Sequence, residues 1–280
     1  QDHTLRIKLK KMKTLEAPYD IVRKMRASIL CLGPLVARNS EAKVSLPGGC
    51  AIGTRPIDLH LDAMRAMGAE ISLEEGYVRA FAKKLKGTTY VFETSTVGGT
   101  ENLMMAAALA DGTTILENAA KEPEIVDMAE YLILMGAKIT GHGTGVITIE
   151  GVDKLKPAEY SIMPDRIEAG TLLIAGAITG GQVTVEKMVS HHIDSLIGKM
   201  KEAGFKFKVQ DNSVTVLPTA KNFKWGAVDI TTNPYPLFPT DLQAQYMALM
   251  TIAEGTSIIT ETVFENRFMH VPELSRMGAN

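Results

Sequence analysis

Cysteine, long apolar runs and an excess of either charge are all scarce in this chain of 280 residues. The two cysteines, Cys31 and Cys50, are too few for a disulfide framework, so we expect reduced thiols and a cytoplasmic protein. The net charge of −2 excludes an overall field that would attract nucleic acid or an anionic membrane. The longest apolar runs, at 104–110 and 172–178, are far too short for a transmembrane helix.

A composition of 45% hydrophobic and 22% charged residues is that of a folded globular protein, and a regular repeat organises it. Three predicted amphipathic helices each end at a glycine, and Gly68, Gly136 and Gly204 are 68 residues apart. Apolar residues precede each glycine at three- and four-residue steps, for example Leu59 and Ala63 before Gly68. A glycine there suits the left-handed residue that closes a helix.

A second predicted element recurs with a similar period: a helix of small residues, a glycine turn and a β-branched strand. Its turns lie at Gly112, Gly181 and Gly255. The sequence therefore predicts an α/β (α+β) protein of repeated β-α-β-α-β-β units, which must pack together to bury their apolar faces. A further unit starts at Phe268 and is incomplete at Asn280, so we expect native sequence beyond it. The lack of a starting methionine leads to the same expectation at the other end.

The boundary between two predicted domains, 1–163 and 164–280, lies in the segment SIMPDRIE. Pro164 disfavours a helical conformation at Met163 and suits the first turn of a helix predicted over 165–178. Two bodies that meet there would leave a cleft between them, which is a common place for a ligand.

The segment 45–59, SLPGGCAIGTRPIDL, predicts a glycine- and proline-rich loop of the kind that folds over a ligand. Cys50 lies at its centre, and Arg55 is a nearby cation of the kind that favours a reactive thiolate. Two interpretations stay open at this point: a reactive thiol on a surface loop, or an inert buried thiol. Cys31 lies in an apolar helical stretch and is predicted to belong to the core.

Asp241 follows three prolines in NPYPLFPTDLQAQ, which predict an extended, rigid approach to a helix. Thr240 or Asp241 is expected to cap that helix. Asp241 is then either a structural cap alone or a carboxylate that also faces a cleft.

Two arginines and one turn are candidate ligands for an anion. Arg26 opens an apolar helix and Arg267 lies in FENRFMH, and each either binds a phosphate or carboxylate or is a solvated surface charge. The segment 93–100, ETSTVGGT, is a glycine-rich turn before a helix whose backbone N–H groups could hold a phosphate. It lacks the lysine and the spacing of a P-loop.

Two further patterns receive a structural interpretation. The basic run RIKLKKMK, at 6–13, could suggest nucleic acid, but the neutral net charge argues against that partner. The alternation over 5–9 instead predicts a strand with one solvated face. The pair His191–His192 has no second pair of ligands at suitable spacing, so we expect loop histidines and no metal site.

Seven segments together closely resemble the bacterial UDP-N-acetylglucosamine 1-carboxyvinyltransferases, over nearly the whole chain from Leu5 to Asn280. They are MRASI, SLPGGCAIGTRPIDLH, STVGGT, NAAKEPEIVD, PDRIEAGT, FPTDLQAQ and ETVFENRFMHVPELSRMGA. The proline–glycine–glycine–cysteine loop separates this family from its shikimate-pathway relative, which shares the fold.

The resemblance implies an inside-out α/β barrel fold with two domains of three repeats each and the active site between them. It implies transfer of the enolpyruvyl group of phosphoenolpyruvate to the 3′-hydroxyl of UDP-N-acetylglucosamine, the first committed step of peptidoglycan synthesis. No cofactor, metal, nucleic-acid partner or membrane partner is implied.

The resemblance also assigns roles to individual residues. Cys50 matches the thiol that protonates the methylene carbon of phosphoenolpyruvate and is the target of fosfomycin, and Asp241 matches the base that takes the proton of the sugar hydroxyl. Arg55 matches an arginine that grips phosphoenolpyruvate. The residues matching substrate contacts are Arg26, Arg55, Pro56, Ile57, Asp58, Leu59, Thr94, Ser95, Thr96, Val97, Asp241, Val263 and Arg267.

The chain departs from the family at two places. The family often has a lysine where this chain has Thr94, and the cleft residues that the family carries near its two ends have no counterpart here. Two other functions therefore stay open: a protein that binds UDP-N-acetylglucosamine without chemistry, and a transferase of the shikimate-pathway type.

Overall fold

A computed structural model describes residues 3–9, 11–22, 25–46 and 57–279 of the chain. Its elements repeat one pattern along the sequence. The first unit pairs its strands in the order β1-β2-β4-β3, with β1 and β2 parallel and the other neighbours antiparallel. Its elements are β1 (Glu16–Ala17), α1 (Tyr19–Val22), a 3₁₀ segment (Arg26–Cys31), α2 (Leu32–Asn39), β2 (Glu41–Ser45), α3 (Asp58–Ala66), β3 (Glu70–Glu74) and β4 (Tyr77–Phe81).

The second unit has the same topology, with strand order β5-β6-β8-β7 and the same directions. Its elements are β5 (Thr89–Val91), α4 (Val97–Ala107), β6 (Thr113–Glu117), α5 (Pro123–Leu134), β7 (Lys138–Thr140) and β8 (Val146–Glu150). Two successive units thus confirm the predicted β-α-β-α-β-β repeat.

The rest of the chain follows the pattern in part. In the third unit β11 lies between β9 and β10, antiparallel to both, and in the fourth β12 and β13 are parallel. The third unit contains α6 (Arg166–Ile178), β9 (Val183–Glu186), a 3₁₀ turn (Ser190–Ile193), α7 (Asp194–Glu202), β10 (Phe207–Gln210) and β11 (Ser213–Val216). The fourth contains β12 (Ile230–Thr231), a 3₁₀ turn (Thr240–Leu242), α8 (Gln243–Met250), β13 (Ile259–Thr260) and α9 (Val271–Arg276).

The predicted helix-stop glycines adopt the left-handed conformation, with φ of +89° at Gly68, +103° at Gly136 and +109° at Gly204. In the second series the turn predicted around Gly181 is confirmed, and its left-handed residue is Gly180. The N–H of Gly181 donates to the carbonyl of Gly176, which is the closing hydrogen bond of a Schellman motif. That bond places Gly181 one position after the left-handed residue.

Helix α6 begins one residue later than predicted. The Asp165 carboxylate accepts hydrogen bonds from the N–H groups of Ile167 (2.8 Å) and Glu168 (3.0 Å), so Asp165 is the N-cap and lies outside the helix. Pro164 consequently precedes the cap and is not in the first turn.

Two hydrophobic clusters form the core. The first runs from Ile29 to Ile149 and the second from Ala169 to Met250. The proposed domain boundary at 163–164 falls between them and stays a prediction. Cys31 is half-buried against the first cluster, where burial raises the pKa of its thiol.

The N-terminal basic segment does not form the predicted strand. Residues 3–9 and 11–14 have no strand partner among the described residues, and Leu5 and Ile7 are 82% and 83% exposed. Alternating residues specify a strand only where a neighbouring strand or a core face receives them. In the parts of the chain that the structure describes, every helix is too short or too polar to cross a bilayer.

Candidate functional site

The predicted site residues fall into three sets. Cys50, Arg55 and Pro56 lie outside the described residues, and of Arg26 only the backbone is described, at the start of the 3₁₀ segment. A second set lies at the starts of α3 and α4, and a third lies between the start of α8 and the segment before α9.

Asn102, which is buried on α4, fixes the second set. Its Nδ2 group donates to the Ile29 carbonyl (3.3 Å) and lies 3.1 Å from Nδ1 of His60, while its Oδ1 accepts the N–H of Gly33 (2.7 Å). Because Oδ1 faces a backbone donor, Nδ2 must be the donor towards His60, so Nδ1 of His60 is an acceptor. One buried amide thus joins the 3₁₀ segment, α2, α3 and α4.

Close packing brings the starts of α3 and α4 together. A Cβ added at Gly98, near the start of α4, would lie 3.3 Å from the ring of His60 on α3. Ile57 is buried at the start of α3, whereas Asp58 is exposed. The predicted segments 57–59 and 94–97 are therefore neighbours in space.

The turn at 94–97 has the geometry of a helix N-terminus that can receive an anion. Oγ1 of Thr96 accepts the N–H of Gly99 at 3.3 Å and caps α4. Thr94 is exposed, and Ser95 and Val97 are half-buried. The partial positive charge of the helix end and the hydroxyl groups suit a phosphate oxygen.

In the third set, Asp241 and Arg267 form an ion pair. Nη2 of Arg267 donates to Oδ1 of Asp241 at 2.6 Å. The Arg267 side chain is 18% exposed and stacks at 5.4 Å over the ring of Phe264, whereas the Asp241 side chain is 52% exposed. The structure thus presents a carboxylate that is held on one oxygen and open to solvent.

The prediction that Thr240 or Asp241 caps the following helix is wrong. Helix α8 begins at Gln243 without a side-chain cap, because both candidates have other partners. Oγ1 of Thr240 donates to Glu261 at 2.8 Å, and Asp241 accepts from Arg267.

Glu261 organises this set and was missed by the sequence analysis. Its carboxylate accepts hydrogen bonds from the hydroxyl groups of Thr232 and Thr240, both at 2.8 Å. It also accepts the N–H groups of Val263 (2.8 Å) and Phe264 (3.1 Å). A glutamate directly after a strand and before a turn was the only signal in the sequence.

Two histidines in the described part of the chain have lowered pKa values. Burial, and then the charge of Arg267, lower the pKa of His270. His191 and His192 lie in the 3₁₀ turn before α7 with their rings 4.6 Å apart, where burial, His191 and Arg166 lower the pKa of His192. Within the described ranges, no three His, Cys, Asp or Glu side chains are grouped as a metal site would require.

Comparisons with known proteins agree with this architecture. The sequence model of the EPSP synthase family (3-phosphoshikimate 1-carboxyvinyltransferase) matches residues 1–280. The chain is 70% identical over 274 residues to the UDP-N-acetylglucosamine 1-carboxyvinyltransferase of Bdellovibrio bacteriovorus, covering 98% of this chain and 66% of that protein. For the protein of the same name from Thermodesulfovibrio yellowstonii the identity is 60% over 271 residues, covering 96% of this chain and 64% of that protein. The chain thus spans just under two thirds of the length of these curated relatives.

Two solved structures have a similar fold. The enolpyruvyl transferase NikO from Streptomyces tendae superposes with a TM-score of 0.80 at 25% identity, covering 94% of this chain and 62% of that chain. The EPSP synthase of Acinetobacter baumannii superposes with a TM-score of 0.63 at 19% identity, covering 90% of this chain and 60% of that chain. At that identity the second likeness concerns the fold alone. The predicted enolpyruvyl transferase fold is confirmed.

Proposed function

This chain belongs to the EPSP synthase family, and we propose that it comes from a UDP-N-acetylglucosamine enolpyruvyl transferase. In this proposal, the complete protein transfers the enolpyruvyl group of phosphoenolpyruvate to the 3′-hydroxyl of UDP-N-acetylglucosamine and releases phosphate. It acts in the cytoplasm, at the first committed step of peptidoglycan synthesis. The 70% identity to a relative of that name and the PGGC loop support this substrate over shikimate 3-phosphate.

The observation that carries the proposal is the Asp241–Arg267 pair. A general base must be able to reach the proton that it removes, and Asp241 is half exposed with one oxygen held by Arg267. Asp241 takes the proton of the sugar hydroxyl as the hydroxyl oxygen attacks C2 of phosphoenolpyruvate. Cys50 gives a proton to C3, which becomes a methyl group. Loss of a proton from that methyl group and of phosphate from C2 then restores the double bond.

Residues of all three sets contribute to binding. The neighbouring segments 57–59 and 94–97 hold the nucleotide, with the start of α4 facing an anionic oxygen. Arg55 and Arg267 neutralise the two anionic substrates. Arg26 and Val263 contact the sugar nucleotide, and Pro56 is a further contact of its uridine end. Thr94 offers a hydroxyl where the family often has a lysine, so this contact is uncharged here.

Two domains, 1–163 and 164–280, would place these sets on opposite walls of one cleft. The two hydrophobic clusters support this division, since one ends at Ile149 and the other begins at Ala169. Closure of the cleft would exclude water and align the hydroxyl with C2.

The test measures phosphate release by the protein expressed from the complete reading frame. We expect release with phosphoenolpyruvate and UDP-N-acetylglucosamine together and no release when shikimate 3-phosphate replaces the sugar nucleotide. Saturable binding of UDP-N-acetylglucosamine without release would instead identify a binding protein. Release with shikimate 3-phosphate would overturn the proposed substrate.

A further inference from the structure

A buried arginine connects three separate parts of the chain. Arg166, the first residue of α6, is 7% exposed and donates through Nε to Oε1 of Glu124 (3.0 Å) and through Nη2 to Oε2 (3.4 Å). Its guanidinium carbon lies 5.7 Å from the centre of the Tyr235 ring. This one side chain therefore touches α5 and the segment before α8 while it belongs to α6.

The start of α5 makes further contacts with later parts of the chain. Oε1 of Glu122 accepts the N–H of Tyr235 at 3.3 Å. The Asp127 carboxylate accepts the hydroxyl of Tyr160 (2.8 Å) and the N–H of Met163 (3.0 Å). Three carboxylates within six residues thus hold three later parts of the chain to the second unit. These parts are the segment that connects β8 to α6, helix α6 itself, and the segment around Tyr235.

Tyr235 leads directly to the proposed base. Asp241 follows it by six residues, and Pro236 and Pro239 lie between them. Because proline fixes φ, this segment has few ways to absorb a displacement. Tyr235 and Asp241 therefore belong to one short, stiff segment.

Helix α4 packs on α5, the helix whose start binds Arg166 and Tyr235. It begins at the turn 94–97 and carries Glu101 one helical turn after Val97. The carboxyl group of Glu101 is close enough to those of Glu124 and Glu122 for their charges to raise its pKa.

We propose that Glu122, Glu124 and Arg166 are positioning residues that hold the Asp241 segment in register with the nucleotide-binding turn at 94–97, and that protonation of Glu101 tightens this contact. We call these four residues and Tyr235 the seam. The catalytic consequence of the seam rests on the proposed function, whereas the structural coupling does not.

The charges at the seam explain why Glu101 is the residue whose protonation state changes near neutral pH. Burial, and then the charges of Glu124 and Glu122, raise the pKa of Glu101 to about 7. Among the described residues, Arg166 is the cation in contact with these carboxylates, and the pKa of nearby His192 is lowered, which keeps that ring neutral. Ionisation of Glu101 therefore adds a third negative charge close to Glu122 and Glu124, and it repels them from their present positions.

The first experiment measures hydrogen exchange of the amides of residues 235–243 in the complete protein, corrected for the intrinsic effect of pH. We expect exchange in the wild type to accelerate at least about threefold between pH 6 and pH 8.5, as Glu101 ionises. E101Q, which mimics the protonated acid, is expected to remove that acceleration. E159Q, at an exposed carboxylate in the connecting segment, should behave as the wild type. Equal exchange in wild type and E101Q at both pH values would overturn the inference, whether or not the protein is active.

The second experiment follows kcat and KM across the same pH range. We expect kcat of the wild type to fall about tenfold by pH 8 through a step near pH 7, and E101Q to lack this step. R166K should lower kcat and leave KM for phosphoenolpyruvate within about twofold, because lysine cannot make the two-nitrogen contact. An active wild type whose pH profile coincides with that of E101Q would refute the seam and leave the transferase intact. An inactive wild type would refute the proposed function, and hydrogen exchange would still decide on the seam.

Discussion

The two described sides of the candidate site are built from different interactions. The amide side, at the starts of α3 and α4, is fixed by the buried Asn102, which bonds two backbone groups and lies within hydrogen-bonding distance of a histidine. The carboxylate side, before α9, is fixed by Glu261 and by the half-exposed Asp241–Arg267 pair. A buried neutral network cannot be rearranged cheaply, whereas an exposed charged pair can exchange partners. The amide side is therefore fixed and the carboxylate side adjustable, which suits the roles that the proposed function gives them, nucleotide binding and proton transfer.

The most damaging change should be Asn102→Ala. It removes three buried polar contacts and leaves a cavity between α2, α3 and α4, so we expect the free energy of unfolding to fall by about 3–4 kcal/mol. Urea unfolding measures the loss. Asn39→Ala, which removes one long hydrogen bond of 3.3 Å at the end of α2, is the control and should cost less than about 1 kcal/mol. A loss below about 1 kcal/mol for Asn102→Ala would mean that the amide side is not fixed in this way.

The next effect is the pH dependence of the free energy of unfolding. Glu101 on α4 is the group of the amide side that we expect to cause it. The pKa of Glu101 is raised from 4.5 to about 7, so the folded state favours the protonated acid. The stability that this group contributes is fully present below pH 4.5, falls as pH rises towards 7, and is absent above that value. We expect unfolding titrations at pH 5 and pH 8 to differ by about 2–3 kcal/mol more in the wild type than in E101Q. An identical difference in both proteins would contradict the raised pKa.

A smaller effect is expected on the carboxylate side from Glu261→Ala. Four donors lose their acceptor, two of them backbone N–H groups near Val263, so stability should fall by about 2 kcal/mol and kcat with it. Glu261→Gln keeps a carbonyl oxygen for those N–H groups and should recover part of both losses. Glu254→Ala removes an exposed ion pair with Lys224 and should change stability by less than about 0.5 kcal/mol. If Glu261→Ala left kcat unchanged, the hydrogen bonds of Glu261 would not contribute to the position of the catalytic groups.

The smallest change in stability and the clearest separation of roles should come from Arg267→Gln. Its partner Asp241 is half exposed, so we expect a loss below about 1 kcal/mol in unfolding experiments. The turnover rate should nevertheless fall on the order of 100-fold, because Asp241 and the developing charge lose a fixed donor. Arg276→Gln, at an exposed pair on α9, should change neither quantity. If Arg267→Gln destabilised the protein as much as Asn102→Ala, the contrast between the two sides would disappear.

Periodic features of the fold were predictable because they depend on local patterns. The glycines at 68, 136 and 204 end helices as expected, since a left-handed residue after a helix strongly favours glycine. The strand predicted for 5–9 failed because alternation alone supplies no pairing partner. Which glycine of the pair 180–181 is left-handed could not be predicted, because both fit the pattern and only the hydrogen bonds distinguish them.

The sequence nominated individual residues of the candidate site, but it could not predict the contacts between them. Asp241 and Arg267 were both expected in the cleft, and the structure adds that they bind each other. The capping prediction for Thr240 failed because Glu261, 21 residues away, takes its hydroxyl group. The bond between Arg166 and Glu124 joins residues 42 positions apart, and no local pattern specifies such a partner.

Labelling with fosfomycin, followed by peptide mass spectrometry, tests the central claim most directly. The account predicts a single adduct on Cys50 of the complete protein. Cys31 serves as the internal control and should stay unlabelled, because burial raises the pKa of its thiol. An unmodified Cys50, or equal labelling of both cysteines, would contradict the proposed role of Cys50 as the reactive acid of an enolpyruvyl transferase.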